Sequence, residues 1–132
     1  MKFTYLHSVQ YTLKSIKEIF DTAYTAFLAA RIDSIKQSNA DHHVIIHTGN
    51  WGTGAYGGNK TIMAILQILA AQVAGIDSLI YHTFSSTSSE SYEEALKILN
   101  ENLIPNEKDI KVMNILFNIE KLKFSWGVTD GN

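Results

Sequence analysis

His43–Gly75, HVIIHTGNWGTGAYGGNKTIMAILQILAAQVAG, decides how the rest of this 132-residue chain is read. The apolar run Val44–His47 leads into a loop holding Gly49, Gly52, Gly54, Gly57 and Gly58, and an unbroken helical pattern follows. The order is strand, glycine loop, helix. Glycines cluster where a backbone must take positive φ or let a ligand come close, and a loop that opens a helix aims N–H groups and the positive dipole end at one spot. The expected ligand is therefore a phosphate or another anion. Asn59 can cap the helix, which runs to Ala74 with Gly75 as its left-handed stop. Ile62, Met63, Ile65, Leu66, Ile68, Leu69 and Val73 cover most of its circumference, so the helix is expected to lie between other layers.

Ser78–Phe84 (SLIYHTF) reads as a second strand, which completes a βαβ unit with parallel strands. Ligands bind such sheets at the C-terminal ends of the strands, where both the glycine loop and Phe84 fall. Upstream, Ile16, Ile19, Phe20, Ala23, Phe27 and Ala30 recur at three- and four-residue spacing, predicting an amphipathic helix from about Leu13 to Gln37. Residues 3–13 alternate loosely as a strand or an extended lead-in, and SNADHH (38–43) is a polar connector. Downstream, SSTSSES (85–91) reads as a short linker. Ser91 and Glu94 have capping-box spacing for a helix over Tyr92–Asn100. Pro105 breaks the chain, Asn106 can cap a further helix with Ile110, Met113 and Phe117 facing inward, and the tail KLKFSWGVTDGN can add a short strand.

The length predicts one domain over residues 1–132 with a core that needs no staples. A formal net charge of −2 with a single arginine, Arg31, argues against direct DNA binding, which relies on a basic patch. An anion would then be held by amide dipoles rather than by a field of cations. With no cysteine, disulfides, zinc–thiolate sites and thiol nucleophiles are excluded. The N-terminus lacks the pattern of a secretory signal, and Ile62–Ala74, interrupted by Gln67 and Gln72, is too short to span a bilayer. These features predict a cytoplasmic protein with no membrane partner, leaving secretion by another route open, and they point to no cofactor.

Three further patterns carry chemistry. GAYGGNKT (54–61) differs by one residue from a P-loop, Asn59 standing where glycine belongs, and it would place Lys60 and Thr61 on phosphate and magnesium. No apolar strand ending in aspartate completes that metal site. His47 and His82 end neighbouring strand segments and can approach each other; with no third ligand in view each reads as a hydrogen-bonded histidine at a strand end, and no metal is expected. Trp51 reads as the anchor of a loop of glycines, and Ser85–Ser89 as an exposed loop.

TGNWGTGAYGGNK (48–60), ILQILAA (65–71), YHTF (81–84) and AYTAFL (23–28) together resemble the C-terminal part of the poly(ADP-ribose) glycohydrolase family, a branch of the macrodomain fold. The resemblance covers residues 16 to 120. It implies an α/β fold, a macrodomain-like βαβ core with flanking helices, reduced to the C-terminal half. It also implies ADP-ribose or poly(ADP-ribose) as ligand, its diphosphate wrapped by the backbone of Gly52, Thr53, Gly54, Ala55, Tyr56, Gly57 and Gly58, with Phe84 near the ribose. Tyr56 stands where the family has phenylalanine, and Asn59 where it has aspartate. Family enzymes carry, upstream of this loop, a triple glycine followed by adjacent glutamates, one of which is the acid for glycosidic cleavage. The 47 residues before Thr48 hold neither. The adjacent pair Glu93 and Glu94 reads instead as the solvated first turn of the following helix. The resemblance thus implies the ligand and leaves the reaction open, beside two alternatives: an interaction protein that retains the fold without the ligand, and a degenerate P-loop nucleotide binder.

Overall fold

The computed structural model describes residues 9–38, 42–104 and 111–127. The elements run β1 (Val9–Gln10), α1 (Leu13–Gln37), β2 (Ile45–Gly49), α2 (Lys60–Ala74), β3 (Ser78–His82), α3 (Ser86–Ile98), α4 (Val112–Lys121) and β4 (Ser125–Trp126). Pro105, Asn106 and Ile110 lie outside the described residues, as do residues 3–8 of the alternating run.

Helix α2 is the hub. Its apolar residues from Ile62 to Leu69 are buried on every side, and it packs between α1 and α3. A helix with no polar face must sit between layers, so this placement follows from its composition. Asn59 caps it through hydrogen bonds to its side-chain oxygen from Thr61 N–H (3.0 Å) and Ile62 N–H (3.1 Å). Gly75 ends it in the left-handed region at φ +71°, as a C′ glycine does.

β2 and β3 pair in parallel, Ile45 against Ser78 and Gly49 against His82, as the βαβ reading requires. One face turns Leu79 and Tyr81 onto the helical core. The other leaves Ile45, His47, Ile80 and His82 exposed. β3 stops at His82, two residues short of its expected end, and Phe84 lies beyond it. Among the described residues β1 pairs only with β4, antiparallel, so the tail does add a strand.

α1 spans its expected residues and buries Ile16, Phe20 and Ala23. Thr12 and Ser15 cap it reciprocally. A carboxylate from the far end of the chain, that of Glu120 on α4, accepts the Leu13 N–H. An acidic group at a helix N-terminus meets both the orphan donor and the dipole, which fastens α4 to α1.

Two expectations are corrected. The serine run is not a linker: Ser85 takes extended dihedrals and its hydroxyl accepts the Ser88 N–H at 3.2 Å, so α3 begins at Ser86. Ser91, the expected cap, lies inside the helix and donates to the Thr87 carbonyl at 3.0 Å. Glu93 and Glu94 therefore sit in mid-helix, not in its first turn. On α4 the inward stripe is Ile115, Leu116 and Ile119, whereas Met113 and Phe117 are exposed. The helix offers two apolar stripes. The more branched one enters the core, and Phe117 is covered from outside by the Lys121 ammonium, 4.8 Å from its ring centre.

Candidate functional site

The loop is aimed by a buried glutamine. Gln67 on α2 is 1% exposed, and a polar side chain so placed must have both ends bonded. Its amide nitrogen donates to the Gly49 carbonyl at 3.1 Å, and its oxygen accepts the Thr48 hydroxyl. The last two residues of β2 are thereby fixed to the helix that follows the loop. Asn50 comes next, and its side chain is held from two sides. It accepts the Tyr81 hydroxyl at 3.2 Å and donates to the Ser88 hydroxyl, which also receives the Ser85 hydroxyl at 3.0 Å. Burial pushes the Tyr81 phenol up to about 12, with a further rise from Tyr92 and an offset from hydrogen bonding to Gln67. Tyr81 stays neutral, as a donor to Asn50 should.

Between Asn50 and Asn59 the chain folds back on itself. Gly52, Gly54 and Gly57 take φ of +67°, +64° and +68°, a region that suits glycine. Gly54–Tyr56 forms a single 3-10 turn. The Gly57 N–H donates to the Gly54 carbonyl (2.9 Å) and the Gly58 N–H to the Gly52 carbonyl (3.1 Å). Gly58 is required for another reason: a Cβ there would lie 2.2 Å from the Gly52 oxygen. Two distant segments hold the loop's far end. The Gly127 N–H donates to the Gly57 carbonyl at 3.0 Å, and the Asn59 N–H to the Tyr11 hydroxyl at 2.9 Å. Burial raises the Tyr11 phenol's pKa, while the Asn59 bond pulls the other way.

Two adjoining cavities open at the loop. The one of about 410 Å³ is bounded by Asn50, Thr53, Gly54, Lys60, Phe84 and the Ser85–Ser88 turn. The other, about 350 Å³, shares Gly54 and Lys60 and continues past Gly58. Of the residues singled out in the sequence, Thr53, Gly54 and Phe84 meet at the first cavity and Gly58 at the second. Phe84 is 89% exposed and Tyr56 79% exposed. Gly52 faces the opposite way, beside Trp51 and Met63 over α1. Gly57 packs against Gly127. Trp51, 41% exposed, lies between the loop and Ala23, Phe27 and Gln67. Sequence reasoning did not select Asn50, Lys60, Ser85 or Ser88 for this site. Their signals were Lys60 as the lysine of a broken P-loop pattern and the serine run 85–89 as a stretch able to hold a phosphate but read as an exposed loop.

His47 Nδ1 and His82 Nε2 are 2.9 Å apart, with ring centres 5.2 Å apart. Those distances place the rings edge to edge, each nitrogen facing the other, so one donates and one accepts. His82 also lies beside Phe84, with ring centres 6.4 Å apart. Among the described residues no three histidine or acidic side chains converge on a metal position, and no helix is long and apolar enough to cross a membrane.

Residues 1–91 match the family model described as Poly (ADP-ribose) glycohydrolase (PARG), Macro domain fold. The match begins earlier than the 16–120 span of the resemblance and stops within α3, so α4 and β4 fall beyond it. It gives no support to the P-loop alternative. Nor does the local geometry, since Thr61 is buried and its hydroxyl bonds Glu94 at 3.1 Å instead of facing a phosphate.

Proposed function

Because this chain belongs to the poly(ADP-ribose) glycohydrolase family and has a macrodomain-type α/β fold, we propose that its glycine loop binds the diphosphate of ADP-ribose, free or as a unit of poly(ADP-ribose). The observation that carries the reading is the folded-back loop, with Gly54 and Lys60 at the shared wall of two cavities and the N-terminus of α2 behind them. The backbone amides of Thr53, Gly54, Ala55 and Tyr56 are the donors to the phosphates. Gly57 and Gly58 serve by shape, because their N–H groups are already spent within the loop. Lys60 adds one cation to a site otherwise built from dipoles, and Phe84 offers an exposed ring to the ribose side of the ligand. Gly52 supplies the turn rather than a contact.

The reading is for binding. Glycosidic cleavage uses a placed carboxyl group of raised pKa, and the side chains bounding these cavities are hydroxyls, amides, one ammonium and one aromatic ring.

Titration calorimetry with ADP-ribose tests the proposal on the wild type and on Gly54→Val. The wild type should give saturable heat. The variant should fold yet bind at least about a hundredfold more weakly, since a β-branched residue at φ +64° obstructs both the turn and the ligand's approach. Undiminished affinity in Gly54→Val would remove the loop from the site.

A further inference from the structure

The exposed face of the β2–β3 pair carries two imidazoles that the loop's cavities do not use. In the parallel register His47 stands opposite Ile80 and Gly49 opposite His82, so the two histidines are diagonal neighbours on one face. Gly49 has no side chain to fill the place beside His82, which leaves room for the His47 ring to reach across. His47 Nδ1 and His82 Nε2 meet there at 2.9 Å. Both rings are exposed, and among the described residues neither takes part in an ion pair.

That distance selects a geometry. Two nitrogens bound to one ion at about 2.0 Å lie about 2.8 Å apart at neighbouring corners of a square, but about 3.3 Å apart in a tetrahedron. The 2.9 Å pair matches the square without movement of either strand. Square or tetragonal coordination by imidazole belongs to Cu²⁺ and Ni²⁺, and Cu²⁺ also heads the affinity order of the first-row divalent metals. The neighbours Ile45 and Ile80 are exposed and offer no donor. The protein therefore supplies two ligands and leaves the other positions to water or a small exogenous ligand, as an open site does.

We propose that His47 and His82 form a bidentate site for a tetragonal divalent cation, Cu²⁺ above all. Binding replaces the hydrogen bond between the rings. The proton that one ring shares with the other moves to that ring's outward nitrogen, so His47 Nδ1 and His82 Nε2 both turn a lone pair to the ion while His47 Nε2 and His82 Nδ1 carry the protons. Phe84, whose ring centre is 6.4 Å from that of His82, separates this site from the loop's first cavity. The two sites share no donor, so this one stands or falls independently of what the loop binds.

Calorimetric titration with Cu²⁺ and with Zn²⁺ in mildly alkaline buffer tests the proposal, and the electron spin resonance of the Cu²⁺ form identifies the donors. The tightest Cu²⁺ on the chain should give a tetragonal signal split by two imidazole nitrogens and bind at least about tenfold more tightly than Zn²⁺. His47→Gln and His82→Gln should each weaken it at least about tenfold, since even loss of an outer partner costs a metal site that much. Both positions are exposed, so these substitutions leave the core alone. His43→Gln, before the start of β2, should change nothing. Tight Cu²⁺ retained in either pair variant, its loss in His43→Gln, Zn²⁺ bound as tightly as Cu²⁺, or no saturable Cu²⁺ binding at all overturns the site.

Discussion

Gly58→Ala is the sharpest perturbation this fold offers, because it adds one methyl group where there is no room. The new Cβ would lie 2.2 Å from the Gly52 oxygen and 2.9 Å from its carbonyl carbon, both backbone atoms with no rotamer to yield. The two sides of the loop must part by about an ångström to reach ordinary contact, and the 3.1 Å Gly58–Gly52 hydrogen bond goes with that movement. Overpacking costs about 1–3 kcal/mol and the lost bond about 0.5–1.5 kcal/mol, so we expect a loss of about 2–4 kcal/mol. In a domain of this size that lowers Tm by about 8–16 °C. Gly52→Ala is the control. There the added Cβ meets only the Met63 methyl at 3.6 Å, but φ is +67°, so the cost is backbone strain of about 1–2 kcal/mol. Urea denaturation of the two variants, followed by far-UV circular dichroism, should rank Gly58→Ala as clearly the more destabilised. A Gly58→Ala protein within about 0.5 kcal/mol of wild type would refute the closed loop described above, since that change is the size expected of a surface substitution.

Three further outcomes follow from the same contacts. Gln67→Leu should lose about 2–4 kcal/mol in denaturant titration, because it leaves the Thr48 hydroxyl and the Gly49 carbonyl without their partner. Asn59→Ala should cost about 1 kcal/mol by removing the cap on two N–H groups of α2, and Asn59→Asp should recover that loss by facing the helix dipole with a charge. Tyr81 holds its proton to about pH 12 when folded but only to about 10 when unfolded. Its contribution to stability is whole below pH 10 and is lost as pH rises through 12. Discounted for its partial exposure, that amounts to about 1–2 kcal/mol, and Tyr81→Phe should lose stability less steeply than wild type over that interval.

What the sequence conveys and what it hides have separate physical causes. α2 and its ends were legible because three local signals agreed: an apolar surface all round, an asparagine before it and a glycine after it. The parallel β2–β3 pair followed from chain order alone. The start of α3 was obscured because serine is at once the commonest linker residue and a strong N-cap. The Ser85 hydroxyl accepting the Ser88 N–H shows which role it takes here, and the tertiary bond from Asn50 to Ser88 holds that turn in place. The exposed stripe of α4 was mistaken for the buried one because Met113 and Phe117 have the same helical spacing as true core residues. At the loop, the positive-φ glycines were expected from composition. The spending of the Gly57 and Gly58 N–H groups inside the loop was not, nor were its ties to Tyr11 and Gly127, which come from opposite ends of the chain. Contacts at that sequence separation leave no periodic trace.

The central claim, that this loop receives the diphosphate of ADP-ribose, is tested most directly by amide resonances during a titration with ADP-ribose. The account predicts saturable shifts centred on Thr53, Gly54, Ala55 and Tyr56, with Lys60 and the Ser85–Ser88 turn following and the Gly57 and Gly58 amides moving least. Spectra unchanged at millimolar ligand, or shifts confined to residues away from the loop, would contradict it.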